Sequence, residues 1–201
     1  MSLPEQIDEY DEVLTSGILP MISEAVRAAP GCNLVDLGSS STDNCMMFSR
    51  AGARVYIDTS RRNLRTEVVL KSDLGPSDLD EVLAYCPDAI DVLLFWNILD
   101  YLSLDAVDHL MRKISGVMRR GGLLYAMVSQ QFYIPVQPAS IDIVGDNQLR
   151  FRYGPLDKEG PHYAPKLLEQ HMPGFCIEKL YLMQNGVQEH LFLFQGTDST
   201  A

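Results

Sequence analysis

The sequence predicts an α/β fold: a mostly parallel sheet of seven strands with helices on both faces, N-terminal helices before it and a β-hairpin insertion after the fifth strand. Three observations predict it. Short apolar runs alternate with helical patterns up to about residue 129. The run Asn33–Leu37 ends in Asp36-Leu37-Gly38 and opens into a helix. The C-terminal stretch holds two alternating runs around Gln184-Asn185-Gly186, a hairpin pattern that adds an antiparallel strand.

Taken in order, residues 4–29 carry Ile7, Val13, Leu14, Ile18, Leu19, Ile22 and Val26 at helical spacing, interrupted by Gly17 and Pro20, and predict two short helices. Asn33–Leu37 is a buried strand, Thr42–Arg50 a helix closed by Gly52, and Arg54–Ile57 a second strand ending at Asp58. Glu67–Leu70 is a third strand, ending at Ser72-Asp73-Leu74, and Ser77 caps a helix running to Tyr85. Asp91–Trp96 is the clearest buried strand. Ser103–Arg119 places Leu104, Val107, Leu110, Met111, Ile114 and Met118 on one helical face, with Arg119-Arg120-Gly121-Gly122 as its end; Leu123–Val128 is the fifth strand. Residues 130–165 break the pattern: they are rich in Pro, Tyr and Gly, and Ile141–Tyr153 reads as a hairpin turning at Gly145-Asp146-Asn147. A short helix, Pro165–Met172, leads to the C-terminal hairpin.

Composition narrows the function. A chain of 201 residues, 46% hydrophobic, buries one substantial core, and 1–201 is expected to be a single domain with 130–165 as an insertion or lid. No apolar stretch is long enough to cross a bilayer, and Met1–Glu9 lacks the basic region and apolar core of a secretion signal, so the expectation is a cytoplasmic protein without a membrane association. A net charge of -11 and the lack of a basic, aromatic stripe argue against nucleic acid as a partner. Cys32, Cys45, Cys86 and Cys176 and His109, His162, His171 and His190 are scattered, which predicts neither a metal site nor a disulfide framework. Cys45, near a helix start, is read as a buried structural thiol in preference to a reactive one.

In this order of elements the chain resembles the class I S-adenosylmethionine-dependent methyltransferases and their Rossmann-like sheet. The resemblance covers about residues 30–195 and rests on Val35-Asp36-Leu37-Gly38, Gly52–Asp58, Asp91–Leu102 and Met118–Leu124, with Arg120 where proline is usual. It implies S-adenosylmethionine as cofactor. Asp36 and Gly38 would shape the loop beside its methionine part, Asp58 would accept from the ribose hydroxyls, Asp73 would meet the adenine amino group with Leu74 flanking the ring, and Asn97 would lie under the methionine part beside the substrate. The glycine loop departs from the family pattern at Ser40 and Thr42, which restore Cβ atoms. Either Ser40, with the hydroxyls of Ser39 and Ser41, then holds part of the cofactor, or the pocket has closed.

The residues support part of this independently. A carboxylate about twenty residues past the glycine turn suits a pair of ribose hydroxyls, since it only accepts. Asp43, in the first turn of the following helix, would repel a pyrophosphate but tolerates a zwitterion bearing sulfonium and ammonium groups. Methyl transfer from a sulfonium needs alignment above all, with a base only where the nucleophile must lose a proton. Asp100, Tyr101 and Tyr133 are the candidate catalytic side chains, at or near the carboxyl ends of strands, with His162 more remote. The expected activity is methyl transfer to a small molecule or a protein. The alternative is a catalytically inactive methyltransferase fold that serves as a protein-binding or assembly subunit through a protein partner.

Overall fold

The computed structural model describes residues 10–38, 41–57 and 89–197. Four strands run parallel: β2 (Asn33–Asp36), β3 (Arg54–Ile57), β4 (Ile90–Trp96) and β5 (Met118–Ser129). The C-terminal hairpin, β10 (Phe175–Leu182) and β11 (Val187–Phe194), closes the sheet, with β11 antiparallel to both β5 and β10. The described sheet thus has six strands in the order β10-β11-β5-β4-β2-β3, mixed through β11. The third strand expected at Glu67–Leu70, and the helix expected from Ser77, lie outside the described residues.

Each face is covered by helices. On one, α1 (Leu19–Ala28) and α2 (Thr42–Arg50) bury Leu19, Ile22, Val26 and Phe48 against Leu34, Leu94 and Trp96. On the other, α3 (Leu104–Ser115) and α4 (Pro165–Gln170) bury Val107, Leu110, Ile114 and Leu168 against Val35, Leu93 and Leu124. The α3 pattern does what its spacing predicts, and the Ser103 hydroxyl accepts from Ala106 N at 3.2 Å as its cap.

Two expectations fail. Among the described residues the N-terminal stretch holds one helix, and residues 10–15 form strand β1 (Tyr10–Thr15), which pairs with β8 (Gln148–Tyr153) of the insertion. The cross-strand partner decides this. Val13, Leu14 and Thr15 fit a half-buried pleat, and Leu14 is buried opposite Leu149. Pro20, read as a breaker, sits in the first turn of α1, where a missing N–H costs nothing. Helix α3 also stops at Ser115, four residues before the expected end, and Arg119–Gly122 belongs to β5. There it makes a bulge: Ile90 faces Met118, Val92 faces Leu123, and Gly121 takes φ +85°. Arg119 reaches across to Asp91 at 2.7 Å, so it ties two strands and does not close a helix.

The insertion contains the expected hairpin, β7 (Ser140–Gly145) with β8, and a second ribbon, β6 (Tyr133–Pro135) with β9 (Leu156–Glu159). The buried Asn44 of α2 fastens it to the sheet. Its amide donates to Ile141 O at 2.8 Å and accepts from Ile143 N at 2.7 Å, taking the place of a further strand along the outer edge of β7. A second tie is Glu189 on β11, buried, which accepts from the hydroxyls of Ser16 and Tyr125 and from Gly17 N at 2.8 Å. The Ser16 hydroxyl in turn takes Ile18 N and Leu19 N at the start of α1. No helix among the described residues is long and apolar enough to cross a membrane.

Replacing Asn44 with Ala leaves Ile141 O and Ile143 N without these partners in a buried edge. We expect a loss of about 1–3 kcal/mol in urea unfolding, and faster amide exchange at Ile143 than in the unaltered protein.

Candidate functional site

The chain runs from β2 outward to β3 and returns on the other side of β2 to β4, so the connections diverge at the carboxyl ends of β2 and β4. In open α/β sheets this is where ligands bind. Two turns meet there. Asp36 ends β2, and its carboxylate accepts from Gly38 N at 3.1 Å, folding Asp36-Leu37-Gly38 into a tight turn. The same oxygen accepts from the indole Nε1 of Trp96, the last residue of β4, at 2.9 Å. Trp96 has φ +52°, a left-handed conformation for a bulky side chain that costs about 1–3 kcal/mol. The Asp36–Trp96 bond and the burial of the indole hold the residue in that conformation.

The close meeting of the turns also explains Gly38. A Cβ there would lie 2.6 Å from Phe95 O and 3.1 Å from both Ile98 Cγ1 and Trp96 Cδ1, so this glycine is required by the end of β4. Beyond it, α2 begins with Asp43 exposed in its first turn, and its N-cap residue Ser41 makes no side-chain cap. Thr42 is exposed. Ser40, Asp58, Asp73 and Leu74 fall outside the described residues. Burial pushes the Cys45 thiol up to about 11, the opposite of an activated nucleophile.

After Trp96 the left-handed turn delivers Asn97 and the 3₁₀ turn Ile98–Tyr101 beneath the insertion. Asn97 is 7% exposed, and its side-chain Oδ1 is buried without a hydrogen-bond partner. Asp100 is buried, and both its oxygens accept from Ser129 N at 3.1 Å, at the end of β5. Burial raises its pKa to about 7 against the opposing influence of that N–H and of Lys158. The two side chains line a cavity of about 30 Å³ with Ser129 and, from the insertion, Ile134 and Pro135. Tyr101 is buried and donates to Pro135 O at 2.8 Å, with Lys158 Nζ 4.6 Å over its ring, so it ties the turn to the insertion. Tyr133 is 50% exposed and packs edge-on against Phe132, with ring centroids 4.9 Å apart. The His162 ring lies tilted against Phe132, with centroids 5.7 Å apart. Of the three candidate catalytic residues, the structure brings Asp100 and Tyr101 to the cavity wall and leaves Tyr133 at the surface. Among the described residues no group of His, Cys, Asp and Glu would hold a metal ion.

Sequence reading passed over His190, which is fully buried on β11 with neither ring nitrogen bonded, stacked on Phe192. Burial lowers its pKa to about 4. Because the folded value lies below the unfolded one near 6.5, the unfolded chain binds the proton first, and stability is lost as pH falls through that window. Relative to the unaltered protein, His190→Phe should therefore gain on the order of 3 kcal/mol between pH 6.5 and 4. Asp100 has the opposite sign: its raised pKa contributes stability below about pH 4 that fades as pH rises through 7. Asp100→Asn should thus gain on the unaltered protein over pH 4–7, measured by urea unfolding at each pH.

No known family pattern matches the sequence, and no curated protein sequence does. Solved structures do match. One assigned as a type 11 methyltransferase from Sulfolobus solfataricus superposes with a TM-score of 0.52 at 17% identity, over 91% of this chain and 93% of its own. Magnesium protoporphyrin IX methyltransferase from Synechocystis PCC 6803, solved with bound SAM, gives 0.50 at 14% identity, over 87% and 77%. The pyocyanin biosynthetic protein PhzM gives 0.49 at 15% identity, and there 82% of this chain spans only 51% of the larger one. At such identities the likeness is one of architecture: the chain has the fold of the class I S-adenosylmethionine-dependent methyltransferases.

Proposed function

We propose that this protein binds S-adenosylmethionine in the crevice between the ends of β2 and β4 and transfers its methyl group to a small molecule held under the insertion. The observation that carries the reading is the switch point itself, where the Asp36–Gly38 turn, the start of α2 and Asn97 converge. The groups present suit this cofactor. Asp43 in the first turn of α2 disfavours a pyrophosphate and is less hostile to a zwitterion that carries sulfonium and ammonium groups. Asp36 and Gly38 would support the methionine part, and Asp58, Asp73, Leu74 and Ser40 would take the roles that the resemblance gives them.

When bound, the sulfonium supplies an activated methyl group. This chain would contribute orientation: the 3₁₀ turn, Pro135 and Ile134 line the cavity, and Asp100 in the same lining would take a proton from the acceptor. With a pKa of about 7 its carboxylate is available as a base above neutral pH and lost below it.

Titration calorimetry with S-adenosylmethionine and S-adenosylhomocysteine should give saturable heat in the micromolar range, reduced by Asp58→Ala. No heat at millimolar ligand would refute the reading and leave a silent scaffold. NADH binding that depends on Asp58 would move the protein to another class altogether.

A further inference from the structure

A groove of about 690 Å³ lies between α1, α2 and the turn that joins β7 to β8, and the proposed methyl transfer does not use it. Two arginines line it. Pro20, Ser23 and Arg27 stand at i, i+3 and i+7 on α1, and Met47, Arg50 and Ala51 at i, i+3 and i+4 at the end of α2, so each helix turns one stripe to the groove. Asp146 and Asn147 of the hairpin turn form the third wall. We propose that this groove binds a small phosphate monoester, its phosphate held by Arg27 and Arg50 and the hydroxyl groups of its body by Asp146 and Asn147. The inference stands apart from the methyltransferase reading.

Charge carries the argument. The chain has 27 acidic and 16 basic residues, so carboxylates outnumber the cations that could meet them. Arg112, Arg119 and Arg152 each meet one at 2.7 Å. Arg27 and Arg50 are exposed and, among the described residues, form no ion pair. The helix macrodipole favours a basic residue in the last turn of each helix, which accounts for either charge alone. It does not call for both to face one groove, where an anion relieves their mutual repulsion. A guanidinium offers two parallel N–H donors to phosphate oxygens, and a phosphate monoester carries about two negative charges at neutral pH, enough for two arginines.

Size and rigidity point to a small molecule. The volume lies within the roughly 300–1,000 Å³ of small-molecule sites and far exceeds a bare phosphate, so the ligand has a body. Asp146 only accepts, so it takes hydroxyl protons and repels a second acidic group, while Pro20, Met47 and Ala51 give a carbon frame apolar contact. The walls are fastened before any ligand arrives. Asn147 O accepts from Ser16 N at 2.8 Å beside the start of α1, and the Asn44 amide ties α2 to Ile141 O and Ile143 N of the hairpin. The nine residues of α2 put Arg50 about 12 Å from Thr42, at the far end of the helix from the proposed cofactor crevice.

Backbone amide NMR with glucose 6-phosphate as the probe tests this, with inorganic phosphate and glucose as its two halves. We expect saturable shifts at the amides of Arg27, Arg50 and Asp146 at submillimolar ester, weaker binding of inorganic phosphate and none of glucose. Arg27→Gln and Arg50→Gln should each weaken the ester roughly tenfold or more, and Arg50→Lys, which keeps the charge but loses the fork, should recover only part of that loss. Both side chains are exposed, so each variant should unfold in urea at the midpoint of the unaltered protein. No shift at these amides with millimolar ester, or binding indifferent to both substitutions, would overturn the proposal. Equal affinity for inorganic phosphate, or a response to heparin alone, would overturn it as well, the first marking a bare charge trap and the second a polyanion surface. Saturating S-adenosylhomocysteine should leave the ester in place. Its displacing the ester from these amides would overturn both this site and the cofactor crevice, whereas its failure to bind anywhere would overturn the methyltransferase reading alone.

Discussion

The site depends on one oxygen. Asp36 Oδ1 receives both the backbone of its own turn, through Gly38 N, and the indole of Trp96 at the end of the neighbouring strand. That shared acceptor locks the carboxyl ends of β2 and β4 together, and it is what allows Trp96 to hold a left-handed backbone. Were Trp96 to relax to extended geometry, Asn97 and the 3₁₀ turn would point elsewhere, and Asp100 would lose its place beside Ser129 N. The strain, of about 1–3 kcal/mol, is thus stored where the chain has to turn inward beneath the insertion.

Around this point the architecture is held by polar ties buried between layers. Asn44 joins α2 to the edge of the insertion, Glu189 joins β11 and β5 to the segment leading into α1, and Tyr101 joins the 3₁₀ turn to the insertion. Each removes an otherwise unpaired buried donor or acceptor, so each contributes mainly by avoiding a penalty. Asn44 and Tyr101 fix the insertion over the carboxyl ends of the strands, where it lines the cavity, and Glu189 holds the segment leading into α1 against β5 and β11. The acid groups respond to the same burial: Asp100 and Glu189 are both pushed up by desolvation, while His190, buried without a partner, is pushed down.

Much of this was legible in the residues. The Asp36-Leu37-Gly38 turn, strand β4, the face of α3 and both hairpin turns follow from local pattern, because the information lies within a few residues of the element it shapes. What escaped depends on distant partners. Residues 10–15 have a spacing compatible with a helix and become a strand because β8 lies beside them. Ser16 and Glu189 are separated by 173 residues, and Asn44 and Ile141 by 97, so no local signal could join them. Gly38 reads in the sequence as a ligand-loop glycine, yet the atoms nearest its missing Cβ belong to β4 and the 3₁₀ turn that follows it. Asp100 was visible as a carboxylate at a strand end, but its raised pKa follows from burial against Ser129 and the insertion, which spacing does not encode.

The central claim is that the Asp36–Trp96 junction forms the floor of a cofactor site. A crystal structure of the protein with S-adenosylhomocysteine tests it most directly. The account predicts the ligand between the ends of β2 and β4, with its amino-acid end within contact of the Gly38 turn and Asn97 and its sulfur directed toward the Asp100 cavity. Ligand bound elsewhere, such as the groove between α1 and α2, with the Asp36–Trp96 junction untouched, would contradict it.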